Sequence, residues 1–296
     1  MTTTALSAAR AASRPSLREA YDWCRAYARA RQENFTVVSW FLPRDLRPHF
    51  FALYAFCRWT DDLGDEAAGD RLALLDAWER DLRDCFEGRR SSPLFVALGA
   101  TIDRFHIPRE PFLRLIEANR MDQRISRFET YEDLLRYCEH SATPVGRMVL
   151  AVLGYTDETR GRLADATCVG LQLANFWQDV SVDLRKGRVY LPQEDLRRFG
   201  YTEEELRAGV VNDAFRALMA FEVERARRLF REGRALESLI DRRARLDVRL
   251  FRLGGEAVLD AIEAAGYDVL TRRPRVPAWR KAWLALVNGA RLKLGR

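Results

Sequence analysis

Apolar residues return every three or four positions along most of the chain, and that period predicts helices rather than strands. A first helix is expected from Ser16, where Glu19, three residues on, completes a capping box. Pro48 suits a first helical turn, so a second helix is placed from about Pro48 to Glu66. A third covers Gly69–Glu87 and stops at Gly88. The same periodicity marks 92–105, 110–124, 131–153, 157–185, 212–237 and 239–266, with short polar connections between them. Gly (17) and Pro (10) are sparse, while the good helix formers Ala, Leu, Arg and Glu are abundant. The expected fold class is therefore all-α. The expected division is a flexible N-terminus at 1–15, one helical domain over 16–268 and a tail at 269–296. The longest apolar run, around Met148–Leu153, is far shorter than the roughly 18 residues of a membrane span.

Charge changes the picture at one end. The net charge is +6, yet no acid follows Asp268, and the tail holds eight bases. The rest carries 41 bases against 43 acids, which excludes a nucleic-acid-binding body on composition. Residues 277–293, PAWRKAWLALVNGARLK, could form a basic amphipathic helix with Trp279, Trp283 and Leu284. Such a helix either makes peripheral contact with anionic membrane or docks on the body. The five cysteines are odd in number, scattered and without CxxC, which suits reduced thiols in a cytoplasmic protein. The three histidines lie far apart, so a His-based metal site is not expected. The start, MTTTALSAARAASRPS, has no continuous apolar segment and reads as a frayed end rather than a secretory signal.

Two polar constellations carry candidate chemistry. In the run DDLGDE, Asp61 and Asp65 fall on one helix face, with Tyr54 and Arg58 on the same side. Alone, this is equally a solvated acidic helix end. The second constellation is Gln172, Asn175, Asp179 and Asp183, spaced by 3, 4 and 4 in a segment otherwise rich in Leu, Ala, Val, Phe and Trp. At about 100° per residue these four form one narrow stripe that Phe176 joins, while Trp177 points away into packing. A polar cleft fits this pattern, and so does a buried hydrogen-bond network. If the two acidic helices face each other, their carboxylates need cations, and hard oxygen ligands select Mg²⁺ with a phosphate-bearing ligand. Arg58, Arg188 and Tyr190 are candidate donors to a diphosphate. Tyr54, Phe35, Trp40, Tyr137 and Phe176 are candidate walls for an isoprenoid and its cation, or plain core.

Four stretches in order, ENFTVVSWFLP (33–43), ALYAFCRWTDDLGDE (52–66), RFETYEDLLRYCEHSATPVG (127–146) and QLANFWQDVSVDLRKGRVYLP (172–192), resemble the squalene/phytoene synthase family. The resemblance runs from about Tyr21 to Leu270. It implies an isoprenoid-synthase helical bundle with a central cavity and Mg²⁺-dependent chemistry on a prenyl diphosphate. It also implies that Asp61, Asp65, Asn175, Asp179 and Asp183 hold metal and diphosphate, with Asp61, Asp65, Tyr137 and Asp179 as the catalytic set. Gln172, Arg58, Tyr137, Arg188 and Tyr190 match positions that line the site. Asp122, in NRMDQR, matches the aspartate of an MDL segment, with Gln123 in place of the Leu. The second motif reads NFWQD where condensing members read NILRD, and ATPVG stands where AG-x-VG is usual. With ENF near the start, these variants resemble a bacterial subfamily of hopanoid-linked squalene synthases. That likeness implies presqualene diphosphate as substrate and water capture to hydroxysqualene, beside other enzymes of the squalene pathway. Head-to-head condensation of two prenyl diphosphates, and a non-catalytic lipid-binding helical protein, are the rival readings. No GxGxxG occurs, so hydride quenching by this chain is not expected.

Overall fold

At the first helix start the Glu19 amide donates to Ser16 Oγ at 3.3 Å and the Ser16 amide donates to Glu19 Oε2 at 2.8 Å. The capping box closes as expected and α1 runs Leu17–Ala30. The structure, a computed structural model of the chain, describes residues 15–31, 42–277 and, in the tail, 279, 280, 283, 284 and 286–288. Residues 1–14 and the ENFTVVSWF stretch, with Phe35 and Trp40, lie outside the described residues. Helix α2 is Arg47–Asp65 with a proline in its first turn, and α3 is Arg71–Phe86, capped by Asp70. Helix α4 is Pro93–Phe105, capped by Ser92, and α5 is Glu110–Met121. A Thr130–Asp133 capping box opens α6, Tyr131–Ser141, and α7 follows at Thr143–Val152. Helices α8, Glu158–Gln178, and α9, Val180–Arg185, come next. They are followed by α10 (Gln193–Arg198), α11 (Glu203–Arg207), α12 (Asp213–Gly233), α13 (Leu236–Leu239) and α14 (Arg242–Ala264).

The fold class is all-α, as the periodicity implied. Among the described residues the only ladder pairing is an isolated parallel bridge between Arg127 and Val189. Two expected helices are each broken in two. The 131–153 pattern divides at Ala142, just before Pro144, whose ring cannot continue the preceding turn. The 157–185 pattern divides at Asp179. Helices α10 and α11 fall in a stretch expected to be a connection, being too short to show a period.

The chain forms two compact units interleaved in sequence: residues 1–124 with 144–157, and residues 125–143 with 158–296. The core of the first unit is aromatic around α2. Phe56 stacks on Trp78 with ring centroids 5.6 Å apart, and Trp78 meets Phe95 at 4.6 Å. The buried indole is satisfied, because Trp78 Nε1 donates to Thr60 Oγ1 at 2.9 Å. In the second unit α8 packs along α12 and α14 around the buried Phe230. A Cβ at Gly255 would come within 2.4 Å of Phe230 Cζ, so only glycine allows α14 to approach this closely.

Candidate active site

The first acidic motif is the last turn and a half of α2. Its middle residue, Asp62, is the buried one, at 1% exposure. It accepts Tyr27 Oη at 2.7 Å and Arg31 NH2 at 2.6 Å, and Arg58 Nε lies 2.9 Å from its other oxygen. Two guanidinium groups and a phenol thus compensate one buried carboxylate, which would be costly alone. Arg58 NH2 also reaches Glu66 at 2.8 Å, so the arginine expected at a diphosphate is built into the helix end. Arg31 lies 5.0 Å over the Tyr27 ring, and Trp23 stacks on Tyr27 at 5.2 Å, which ties α1 to the end of α2.

With Asp62 fixed inward, helical geometry turns Asp61 and Asp65 outward. Asp61 is solvent-accessible, yet the protein crowds it, and its carboxyl is pushed up to about 7. Desolvation is the main cause. The Asn119 hydrogen bond and Arg58 oppose it, while Asp65 and Asp122 add to it. Asn119 Nδ2 donates to Asp61 Oδ1 at 3.2 Å and to Leu115 O at 3.1 Å. Gln123 Nε2 donates to Gly64 O at 2.9 Å and to Asn119 O at 3.0 Å, locking α5 onto the motif. Gly64 makes this possible, since a Cβ there would sit 2.1 Å from Asn119 Oδ1. Asn119 was not singled out in the sequence, although it stands one turn before Gln123. Tyr54 and Asp65 are partly buried on α2, and Asp122 is partly buried at the end of α5.

The second motif spans the joint between α8 and α9. Helical bonding continues through the joint: the Asp179 amide donates to Asn175 O at 2.9 Å, and the Asp183 amide to Asp179 O at 2.9 Å. The stripe of Gln172, Asn175, Asp179 and Asp183 therefore stays on one side despite the break. Phe176 is buried on the same stripe, and Trp177 turns inward as expected, donating Nε1 to Glu222 O at 3.1 Å. Asn175 Oδ1 is buried with no hydrogen-bond partner.

The KGRVYLP segment closes over this stripe. Arg127 NH1 donates to Gly187 O at 2.6 Å, and the Val189 amide to Ser126 O at 2.9 Å. These bonds set Tyr190 flat on Phe176, centroids 3.8 Å apart and planes 7° from parallel. Tyr137 lies 6.2 Å from Phe176 and 5.9 Å from Tyr190, and Phe128 completes the group at 5.7 Å from Tyr190. Two of the aromatics expected as walls, Tyr137 and Phe176, thus come together with Tyr190, which was expected as a diphosphate donor. Phe128 was missed because one Phe in RFETY shows no period. A small crevice beside the wall is lined by Phe176, Asp183, Arg188 and Tyr190.

The C-terminal segment supplies a residue that the sequence reading did not place. After α14 the chain returns as a strap with Val269 and Pro274 buried. Arg273 grips Asp179 with both arms: Nε bonds Oδ1, and NH2 lies 2.9 Å from Oδ2. Gln178, 1% exposed, donates Nε2 to Pro274 O at 2.7 Å and accepts Arg273 NH2 at 3.3 Å. The uncharged residue at 178 therefore anchors the strap, and the guanidinium beside Asp179 comes from position 273.

These residues fit a hard divalent cation. The unpartnered Asn175 oxygen is a neutral oxygen donor without a proton to accept. Asp65 and Asp122 add to the rise in the proton affinity of Asp61, and a cation would relieve that repulsion. No three His, Cys, Asp or Glu side chains among the described residues form a ready metal cluster. Mg²⁺ takes one or two carboxylates and completes its shell with phosphate oxygens and water.

In one unit a helix ends in carboxylates with guanidinium groups beside them, and in the other a stripe of Asn and Asp runs beside a buried aromatic wall. Residues 28–280 match the family model described as squalene/phytoene synthase, and the chain belongs to that family, whose members are prenyltransferase-type enzymes of isoprenoid biosynthesis. It is 37% identical over 281 residues to the 15-cis-phytoene synthase of Synechococcus elongatus, covering 90% of this chain and 91% of that one. Among solved structures it is similar to squalene synthase HpnC from Alicyclobacillus acidocaldarius, with 54% identity and a TM-score of 0.82 over 85% of this chain and 96% of that one. A dehydrosqualene synthase solved in complex with ligand is 27% identical, with a TM-score of 0.86 over 94% of this chain and 98% of that one.

Proposed function

We propose that the protein converts presqualene diphosphate to hydroxysqualene in a squalene- and hopanoid-forming sequence. The observation that carries this reading is the Phe128–Tyr137–Phe176–Tyr190 wall, built against the same stripe that presents Asn175 and Asp179. A diphosphate leaving group and the carbocation it leaves behind need those two surfaces side by side.

In this reading Asp61 and Asp65 form one donor set for Mg²⁺, and Asn175, Asp179 and Asp183 form the other. Bound Mg²⁺ would neutralise the diphosphate and the charge it gains as the C–O bond breaks. The bonding electrons leave with the diphosphate, and Arg188 and Arg273 donate to its oxygens. Asn119 holds Asp61, and Asp62 with Arg31, Arg58 and Tyr27 holds the helix end that presents it. The ring faces of Phe176, Tyr137 and Tyr190 shelter the cyclopropylcarbinyl cation while it rearranges. Water then forms the new C–O bond and loses one proton to solvent, so no hydride donor is consumed.

The 54% identity to squalene synthase HpnC supports this branch. The second reading, condensation of two farnesyl or geranylgeranyl diphosphates, is supported by the 37% identity to 15-cis-phytoene synthase over nearly the whole chain. A product assay separates the two. The purified protein with Mg²⁺ and no NADPH is given farnesyl, geranylgeranyl or presqualene diphosphate in separate tubes. Hydroxysqualene from presqualene diphosphate alone is the expected result. Coupling of either shorter diphosphate would make the second reading the correct one.

A further inference from the structure

The tail displays its apolar residues the wrong way round for folding. Trp279, Trp283 and Leu286 are 70%, 55% and 71% exposed, the three most exposed large apolar side chains among the described residues. Each of the three is helical, and Trp283 and Leu286 stand four and seven positions after Trp279, the spacing of one helix face. The other side makes the attachment. Arg280 pairs with Asp260 of α14, and Asn288 is buried, donating to Leu284 O at 2.8 Å. A polar residue is inside and two indoles are outside. Isolated exposed apolar residues are ordinary, but three aligned on one short helical face are not.

We propose that the Trp279–Trp283–Leu286 ridge docks the protein on a lipid surface that carries anionic headgroups. Two features name this occupant. Tryptophan is the side chain that settles at the bilayer–water boundary, where its ring is buried and its N–H stays wet. The sequence after Asp268 holds eight bases, of which Arg273 and Arg280 pair with Asp179 and Asp260, and no acid, while the rest of the chain is nearly neutral, so attraction to negative headgroups favours this end of the chain. The same charge repels a second copy of the tail, which argues against self-pairing through this face. No described helix is long and apolar enough to cross a bilayer, so the contact is with its surface.

The test uses the full chain and vesicles of phosphatidylcholine with or without phosphatidylglycerol, and no substrate, so it does not depend on the proposed reaction. Trp59, Trp78 and Trp177 are buried and Trp23 is partly buried, so the blue shift of indole emission and the bilayer quenching that are lost in the Trp279→Ala/Trp283→Ala variant report on the ridge. The expected result is binding that needs phosphatidylglycerol and weakens with salt. The Trp279→Ala/Trp283→Ala variant should bind at least about tenfold more weakly, given the apolar area removed. Its thermal melting should match the parent. Equal binding to neutral and anionic vesicles would overturn the proposal, as would a variant that binds like the parent. So would a ridge-dependent dimer, seen by light scattering, in a protein that ignores vesicles.

Discussion

Replacing Arg273 by alanine should have opposite effects on metal binding and on turnover. Arg273 and Asp179 are 29% and 24% exposed and share two contacts, with NH2 to Oδ2 at 2.9 Å. Unit charges about 4 Å apart attract by roughly 4 kcal/mol at an effective dielectric of about 20. Desolvation and side-chain ordering offset much of this, leaving about 1–2 kcal/mol net for a partly exposed bidentate pair. A cation that takes Asp179 as a ligand must first displace the guanidinium. Arg273→Ala removes that competitor, so Mg²⁺ should bind the substrate-free protein about five- to thirtyfold more tightly. Turnover should fall by about tenfold or more, since a donor to the departing diphosphate is lost. Arg273→Lys keeps the charge without the planar fork and should lie between the two. Calorimetric titration with Mg²⁺ alone reads the first effect and steady-state kinetics the second. Unchanged or weaker Mg²⁺ binding by Arg273→Ala would refute the competition.

Three further outcomes are expected. Asp61→Asn and Asp179→Asn should each abolish Mg²⁺-dependent turnover while circular dichroism and melting show a folded protein, and normal activity in either would reject the assigned roles. Gly64→Ala drives a methyl into Asn119, 2.1 Å from its Oδ1, so urea unfolding should show a loss of about 1–3 kcal/mol and kcat should drop with it; a neutral substitution would mean that α5 moves freely. His49 is held neutral, its pKa pulled from 6.5 to about 4 by burial and by Arg104. The unfolded chain then binds the proton more readily, so stability should fall by no more than about 3 kcal/mol as pH drops from about 6.5 to about 4, and stay flat above. His49→Gln should flatten that part of the urea-midpoint curve, and an unchanged slope would assign it to another group.

What the sequence discloses follows the range of the interactions involved. The Gln172–Asp183 stripe and the inward turn of Trp177 rest on one helical period, and both were legible. The same period could not show the joint at Asp179, because the i to i−4 bonds run through it. Asp62 looked like part of an acidic surface, and its burial became visible only with Tyr27 and Arg31, which are about 30 residues earlier in the chain. Arg273 is 94 residues from Asp179, and in the sequence it is one of eight tail bases without a partner to distinguish it. Gln178 was legible as a departure in charge, but not as the anchor that brings Arg273 in. The tail was expected to use Leu284 with its tryptophans, whereas the exposed third member is Leu286.

The most direct test of the proposed reaction is to follow the origin of the product oxygen. Presqualene diphosphate is incubated with the protein and Mg²⁺ in water enriched in heavy oxygen, without NADPH, and the lipid product is analysed by mass spectrometry. The expected product is hydroxysqualene carrying the heavy oxygen at one position, with diphosphate released in equal amount. Recovery of intact presqualene diphosphate here, together with coupled hydrocarbon or presqualene diphosphate from farnesyl or geranylgeranyl diphosphate, would contradict it and assign the chain to head-to-head condensation.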